Sequence, residues 1–105
     1  MKYMHLPEEA QFRDNGPGKF LVHDSPYVKI LVFSLHEGQE LPLHSHDDEG
    51  YASLLVLEGE GVFLKKDGEQ PAKAGDVVVC EIREPHGVRA TNGDMRVIAH
   101  IAPPI

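Results

Sequence analysis

A single cysteine, Cys80, is all the thiol chemistry in the chain, so no internal disulfide can form. That suits a reducing compartment. No apolar run approaches the roughly 20 residues that a helical membrane span needs. No basic segment followed by an apolar stretch opens the chain either, so a secretory leader is not expected and the cytoplasm is the expected location. Basic residues are scarce. Ten Lys and Arg stand against 17 Asp and Glu, a formal net charge of −7. Such a surface repels phosphate backbones, which argues against nucleic acid as a partner. Short basic clusters such as Lys65-Lys66 read as solvated hairpin ends. At 105 residues there is room for one core and no second.

Helical periodicity is missing as well, and no convincing helix is expected. What the chain has instead is a series of short strands separated by turn signals. Phe20–His23 is brief and stopped by Ser25-Pro26. Val28–His36 is too apolar for simple alternation and is expected to be covered on both faces, the outer one by another subunit. Leu41–His46, Tyr51–Glu58 and Val62–Lys65 follow, the last running into Asp67-Gly68, the strongest local hairpin signal. Ala72–Ala74, Val77–Ile82, Gly87–Ala90 and Met95–Ile101 complete the series. Many short strands at this spacing describe an all-β sandwich or barrel. Residues 1–18 hold Pro7, Gly16, Pro17 and Gly18 without sustained periodicity, and are expected to form an arm lying over the barrel or reaching a partner subunit.

Seven histidines are the one compositional excess, and imidazole is the commonest metal ligand. His44-Ser45-His46 is the sharpest feature. Residues two apart in a strand face the same side, so both rings project together at chelating distance. On its own the pair is also consistent with a surface strand that carries two histidines by chance.

The surrounding residues narrow this. Gly38, with five residues between it and His44, precedes the pair, and Leu57-Glu58-Gly59-Glu60-Gly61 closes the segment. Gly75-Asp76-Val77-Val78-Val79 follows, then Pro85-His86-Gly87-Val88. In these two stretches the chain resembles the cupin superfamily in its small single-domain form, over roughly residues 28 to 102. The resemblance implies a double-stranded β-helix, the jelly-roll barrel of two antiparallel sheets, occupying residues 19–105. It also implies that His44, His46 and His86 converge on one divalent metal ion. A glutamate usually follows the pair as fourth ligand, but counting forward from His46 reaches Gly50, and counting back from Gly59 reaches Ala52. The turn is about two residues longer than usual. Either Glu49 bends in to complete the site, or three histidines hold the ion with water in the open positions. Glu81 and Arg83 also stand where proline and glycine are usual.

Three imidazoles, with or without a carboxylate, suit zinc, iron, nickel, manganese or copper. Positions left to water make such a site reactive. One expectation is therefore a metal-dependent dioxygenase or isomerase acting on a small polar molecule, with Glu49 and Tyr51 as acid–base candidates. The alternative is a sensor or binding module that holds a small ligand unchanged, and a third is an inert barrel. His100 is expected either in the cavity or at a packed surface, and His36 in a structural role. His5 and His23 are expected to be exposed, and Asp47-Asp48 to form a solvated turn. Cys80 is expected to be a buried small hydrophobe. The two-sided apolar strand and the family resemblance both imply a homodimer.

Overall fold

The computed structural model of the protein describes residues 1–104; the last residue of the expected 19–105 barrel lies outside them. The described residues form nine strands: β1 (Gly18–Asp24), β2 (Lys29–Leu35), β3 (Glu40–His44), β4 (Tyr51–Glu58), β5 (Glu60–Lys65), β6 (Gly68–Lys73), β7 (Val77–Glu81), β8 (His86–Ala90) and β9 (Met95–Ala102). They form a five-stranded sheet ordered β1-β2-β9-β4-β7 and a four-stranded sheet ordered β3-β8-β5-β6. Every pairing is antiparallel. This is the jelly-roll architecture that the sequence resemblance implies.

Alternation explains where the core sits. In β4, Ala52, Leu54 and Val56 are buried while Tyr51 and Leu57 are exposed, because successive side chains leave opposite faces of the pleat. Leu54 and Val97 from the larger sheet meet Phe63 and Val88 from the smaller one in the main cluster. Fully burying a side chain such as Leu35 contributes about 1.5–3 kcal/mol. A second, smaller cluster of Ala52, Cys80 and Ile82 packs with Ile101.

Most strand bounds move by a residue or two, and three larger differences from the sequence expectation stand out. The strand expected at Ala72–Ala74 begins at Gly68, since pairing with β5 holds a polar stretch that has no apolar pattern of its own. Leu41–His46 ends as a strand at His44. A single helical turn, α1 (Leu6–Glu9), interrupts the arm, with Pro7 in its first turn where a missing N–H costs nothing.

That arm corrects the expectation that a partner must cover the outer side of β2. Val32 and Ser34 on that side are 0% and 1% exposed within one chain. Buried Ala10 presents its carbonyl to the Ser34 hydroxyl and to Nε and Nη2 of Arg96. Arg96 also binds Glu58 at 2.8 Å and lies 4.3 Å above the Phe12 ring. Arg96→Ala is expected to free the arm and cost about 2–3 kcal/mol, because charge-assisted hydrogen bonds and a cation–π contact disappear together. Denaturant unfolding, with proteolysis of residues 1–17, measures it.

Candidate metal centre

The position of His44 is set by an irregularity in the sheet. Along β3 and β8, Glu40 faces Arg89 and Leu41 faces Val88, then the register shifts and His44 faces His86. Without that shift Leu43 would stand opposite His86, and His44 would leave by the other face of the sheet. One extra residue in the Pro42-Leu43 stretch turns His44 inward. Pro42 is tolerated there because β3 is an edge strand. Gly87 makes room. A Cβ on it would lie 2.5 Å from the Leu41 carbonyl oxygen and 3.1 Å from the Leu43 nitrogen.

As cross-strand partners the His44 and His86 rings stand 4.5 Å apart between centroids. Nδ1 of His44 is 2.8 Å from the Pro42 carbonyl oxygen, and Nδ1 of His86 is 2.7 Å from that of Glu84. A carbonyl oxygen only accepts, so each Nδ1 carries the proton and each Nε2 keeps its lone pair. That is the arrangement by which metal-binding histidines are oriented. His46 lies beyond the strand end, its amide bonded to the Ile82 carbonyl, with its ring edge-on to His44 at 5.8 Å. Two imidazoles sharing an ion at a bond length of about 2.1 Å can have centroids up to about 6.5 Å apart. Both separations are within that reach. Even so, no three or more His, Cys, Asp or Glu side chains among the described residues are gathered as a ligand set. The structure brings His44 and His86 together and leaves His46 beside them.

These rings open onto a recess at one end of the barrel, made of two adjoining cavities of about 220 and 200 Å³. They share Phe33, His44, Ala52, His86 and Ile101. His46 lines the second cavity only, together with Lys19 and Lys29. Small Ala52 leaves the space, in the inward strand position where a carboxylate would have projected. A larger groove of about 450 Å³, bordered by Glu60, Lys73, Asp76 and Asn92, contains no imidazole or thiol. Volume alone does not locate the chemistry.

Of the other candidates, Glu49 sits exposed on the 45–50 turn, outside both cavity linings. Gly50 cannot be replaced by an acid without rearrangement. Its φ is +136°, and a Cβ would meet the Ala102 carbonyl oxygen at 2.6 Å. Tyr51 is 60% exposed on the outer face, because Ala52 next to it takes the inner one. It is not brought to the recess. His100 likewise points outward, its Nδ1 3.5 Å from the Ser53 hydroxyl. His36 stacks on Phe12 at 5.0 Å and binds Asp94 at 2.8 Å, a structural role. His5 is exposed, whereas His23 is partly buried because β1 extends through it. Asp47 and Asp48 are exposed. Cys80 is buried, and burial first, then the Glu84 charge, pushes its thiol upward, away from the reactive thiolate.

The sequence singled out neither Lys19 nor Lys29. The available signal was Lys29 itself, a charge within an apolar strand and in phase with inward Leu31, Phe33 and Leu35.

Desolvation pushes His86 below its ordinary value of 6.5; the hydrogen bond to Glu84 opposes this, and His44 and His46 reinforce it. The unfolded chain therefore takes up this proton at higher pH than the folded one. The stabilisation is complete above pH 6.5 and is lost as pH falls through the lowered folded value. In chelator, the melting temperature is expected to fall more steeply with acid for the wild type than for His86→Gln. Thermal melts from pH 8 to pH 5 test this, as an expected contrast of about a few degrees.

Comparison with known proteins identifies the family and the fold. The cupin-domain family model matches residues 31–101. An oxalate-binding protein from Thermotoga maritima is 37% identical, over 90% of this chain and 85% of its own length. The crystal structure of an RmlC-like cupin from Desulfovibrio desulfuricans superimposes with a TM-score of 0.94 at 47% identity, covering 100% of this chain and 99% of that one. A double-stranded β-helix protein from Klebsiella pneumoniae shares the fold at a TM-score of 0.89 and 22% identity, over 98% and 90% of the two chains. No helix of the described residues is long and apolar enough to cross a membrane. The family model takes in most of the chain and the superposition all of it, and on that footing the chain belongs to the cupin family.

Proposed function

We propose that the protein binds a small polar molecule through a divalent transition metal held by His44, His46 and His86. The observation that carries this is the facing pair His44 and His86, each with its Nδ1 proton committed to a backbone carbonyl and its Nε2 free. His46, a short ring movement away, completes the set, and Glu49 is not required. Zinc, iron, nickel, manganese or copper fits such donors. A bound ion supplies Lewis acidity and open positions for oxygen or thiolate ligands. The protein's part is to orient the rings and to wall the recess with Phe33, Leu54 and Ile101, limiting water. The oxalate-binding relative supports a small chelating ligand.

The enzyme reading, a dioxygenase or an isomerase, draws less support. Among the described residues the recess lining offers no carboxylate or phenol to move protons. Elemental analysis together with oxalate calorimetry tests the proposal. About one metal per chain is expected, with oxalate binding that disappears in chelator. A parent protein without metal refutes it, and a chemically altered ligand after incubation shifts the assignment to an enzyme.

We further propose that a second copy of the chain covers the part of the outer face the arm leaves open. Tyr51, Val77 and Val79 are 60%, 58% and 64% exposed there, and they lie together on the paired strands β4 and β7. Val79→Asp is expected to turn a dimer into a monomer by light scattering while leaving metal content unchanged.

A further inference from the structure

The wall of the recess beyond the histidines carries positive charge, in a protein whose formal net charge is −7. Lys19 pairs across strands with Phe33, and Lys29 with Ile101, which in turn pairs with Ala52. Phe33, Ile101 and Ala52 all face inward and line the recess. Both lysines therefore project from the recess side of the sheet by register, Lys19 exposed at the rim and Lys29 partly buried. Neither forms an ion pair among the described residues. Asp24, opposite Lys29 in register, makes no bridge to it. The acidic turn 47–49 lies outside the lining.

We propose that Lys19 and Lys29 select an organic anion with two acidic groups, one chelating at the histidine centre and the other facing the two ammonium groups. This deepens the metal-binding proposal and rests on it for the position of the first group. The physical reason is desolvation. A carboxylate entering a recess walled by Leu31, Phe33 and Ile101 gives up water and needs a compensating charge. Two ammonium groups without an ion-pair partner among the described residues supply it, and a bound metal ion would supply positive charge for the first acidic group at the other end. An uncharged isostere of the second group gains none of this. Charge, rather than shape, then becomes the basis of selection. The general acidity of the protein surface makes this local reversal necessary, since without it the overall field repels the ligand.

The test compares malonate with malonamate, which keeps one carboxylate and replaces the other by a neutral amide of the same shape. Affinities are measured by calorimetry on the purified protein, with metal content read separately in every sample. The wild type is expected to prefer malonate by about tenfold or more, and Lys19→Met/Lys29→Met to bind the two about equally with metal unchanged. Lys19→Arg/Lys29→Arg is expected to restore the preference, which separates charge from folding. A wild type that holds metal yet binds both ligands equally overturns the charge proposal alone. Malonate preference that survives in the double methionine variant overturns it too. A metal-free wild type refutes the chelation proposal; lysine-dependent malonate preference then still upholds the anion pair, and its absence removes both.

Discussion

Replacing His86 by alanine is expected to lower metal affinity at least about a hundredfold while leaving the barrel folded. The ring is only partly buried, and its neighbours Val88 and Ala90 carry the packing of β8. Its loss therefore removes a donor more than it removes core. His44→Ala is expected to match it, because the two face each other in register and either loss leaves one ring of the facing pair with only the offset His46 beside it. His46→Ala is expected to fall between these and the wild type, since its ring stands off at 5.8 Å from His44. Elemental analysis after purification without added metal, with melting curves in parallel, gives the result. Equal metal in all four proteins would leave the imidazoles without the assigned role.

The second large effect comes from a residue with no side chain. Gly87→Ala places a methyl group 2.5 Å from the Leu41 carbonyl oxygen, at the stretch where β3 shifts register. The strand must either move away or slip. A slip by one residue restores regular pairing and turns His44 to the outer face. The expected outcome is a loss of about 1–3 kcal/mol in stability from overpacking, together with metal loss as large as in His44→Ala, although no ligand has changed. Metal retained by Gly87→Ala at the wild-type level would show that the register shift does not aim His44.

These two variants mark what was and was not legible in the residues. The His44-Ser45-His46 spacing indicated two rings on one face by the period of a strand. In the folded chain the strand ends at His44, and the inward direction of that ring comes from a bulge two residues earlier. The nearness of the two rings has a local reason, and the inward direction of His44 has a non-local cause. Ala52 was identified correctly as inward because β4 alternates without interruption. The same alternation sends Tyr51 outward, which rules against its acid–base role. The Val28–Leu35 run suggested two covered faces, and β2 does have them. The cover over Ser34 is the chain's own arm, held by Arg96 from β9.

By itself the sequence determined an all-β chain, the positions of most turns and the inward alternation of β4. Each depends on residues a few positions apart, where backbone period and turn chemistry act directly. Tertiary structure decided the shifted pairing of β3 with β8, the separation of Glu49 and Tyr51 from the recess, the arm over β2 and the meeting of Lys19 and Lys29 with the histidines. Those features depend on which strands become neighbours and in what register. That choice is made by packing across the whole barrel, between segments tens of residues apart.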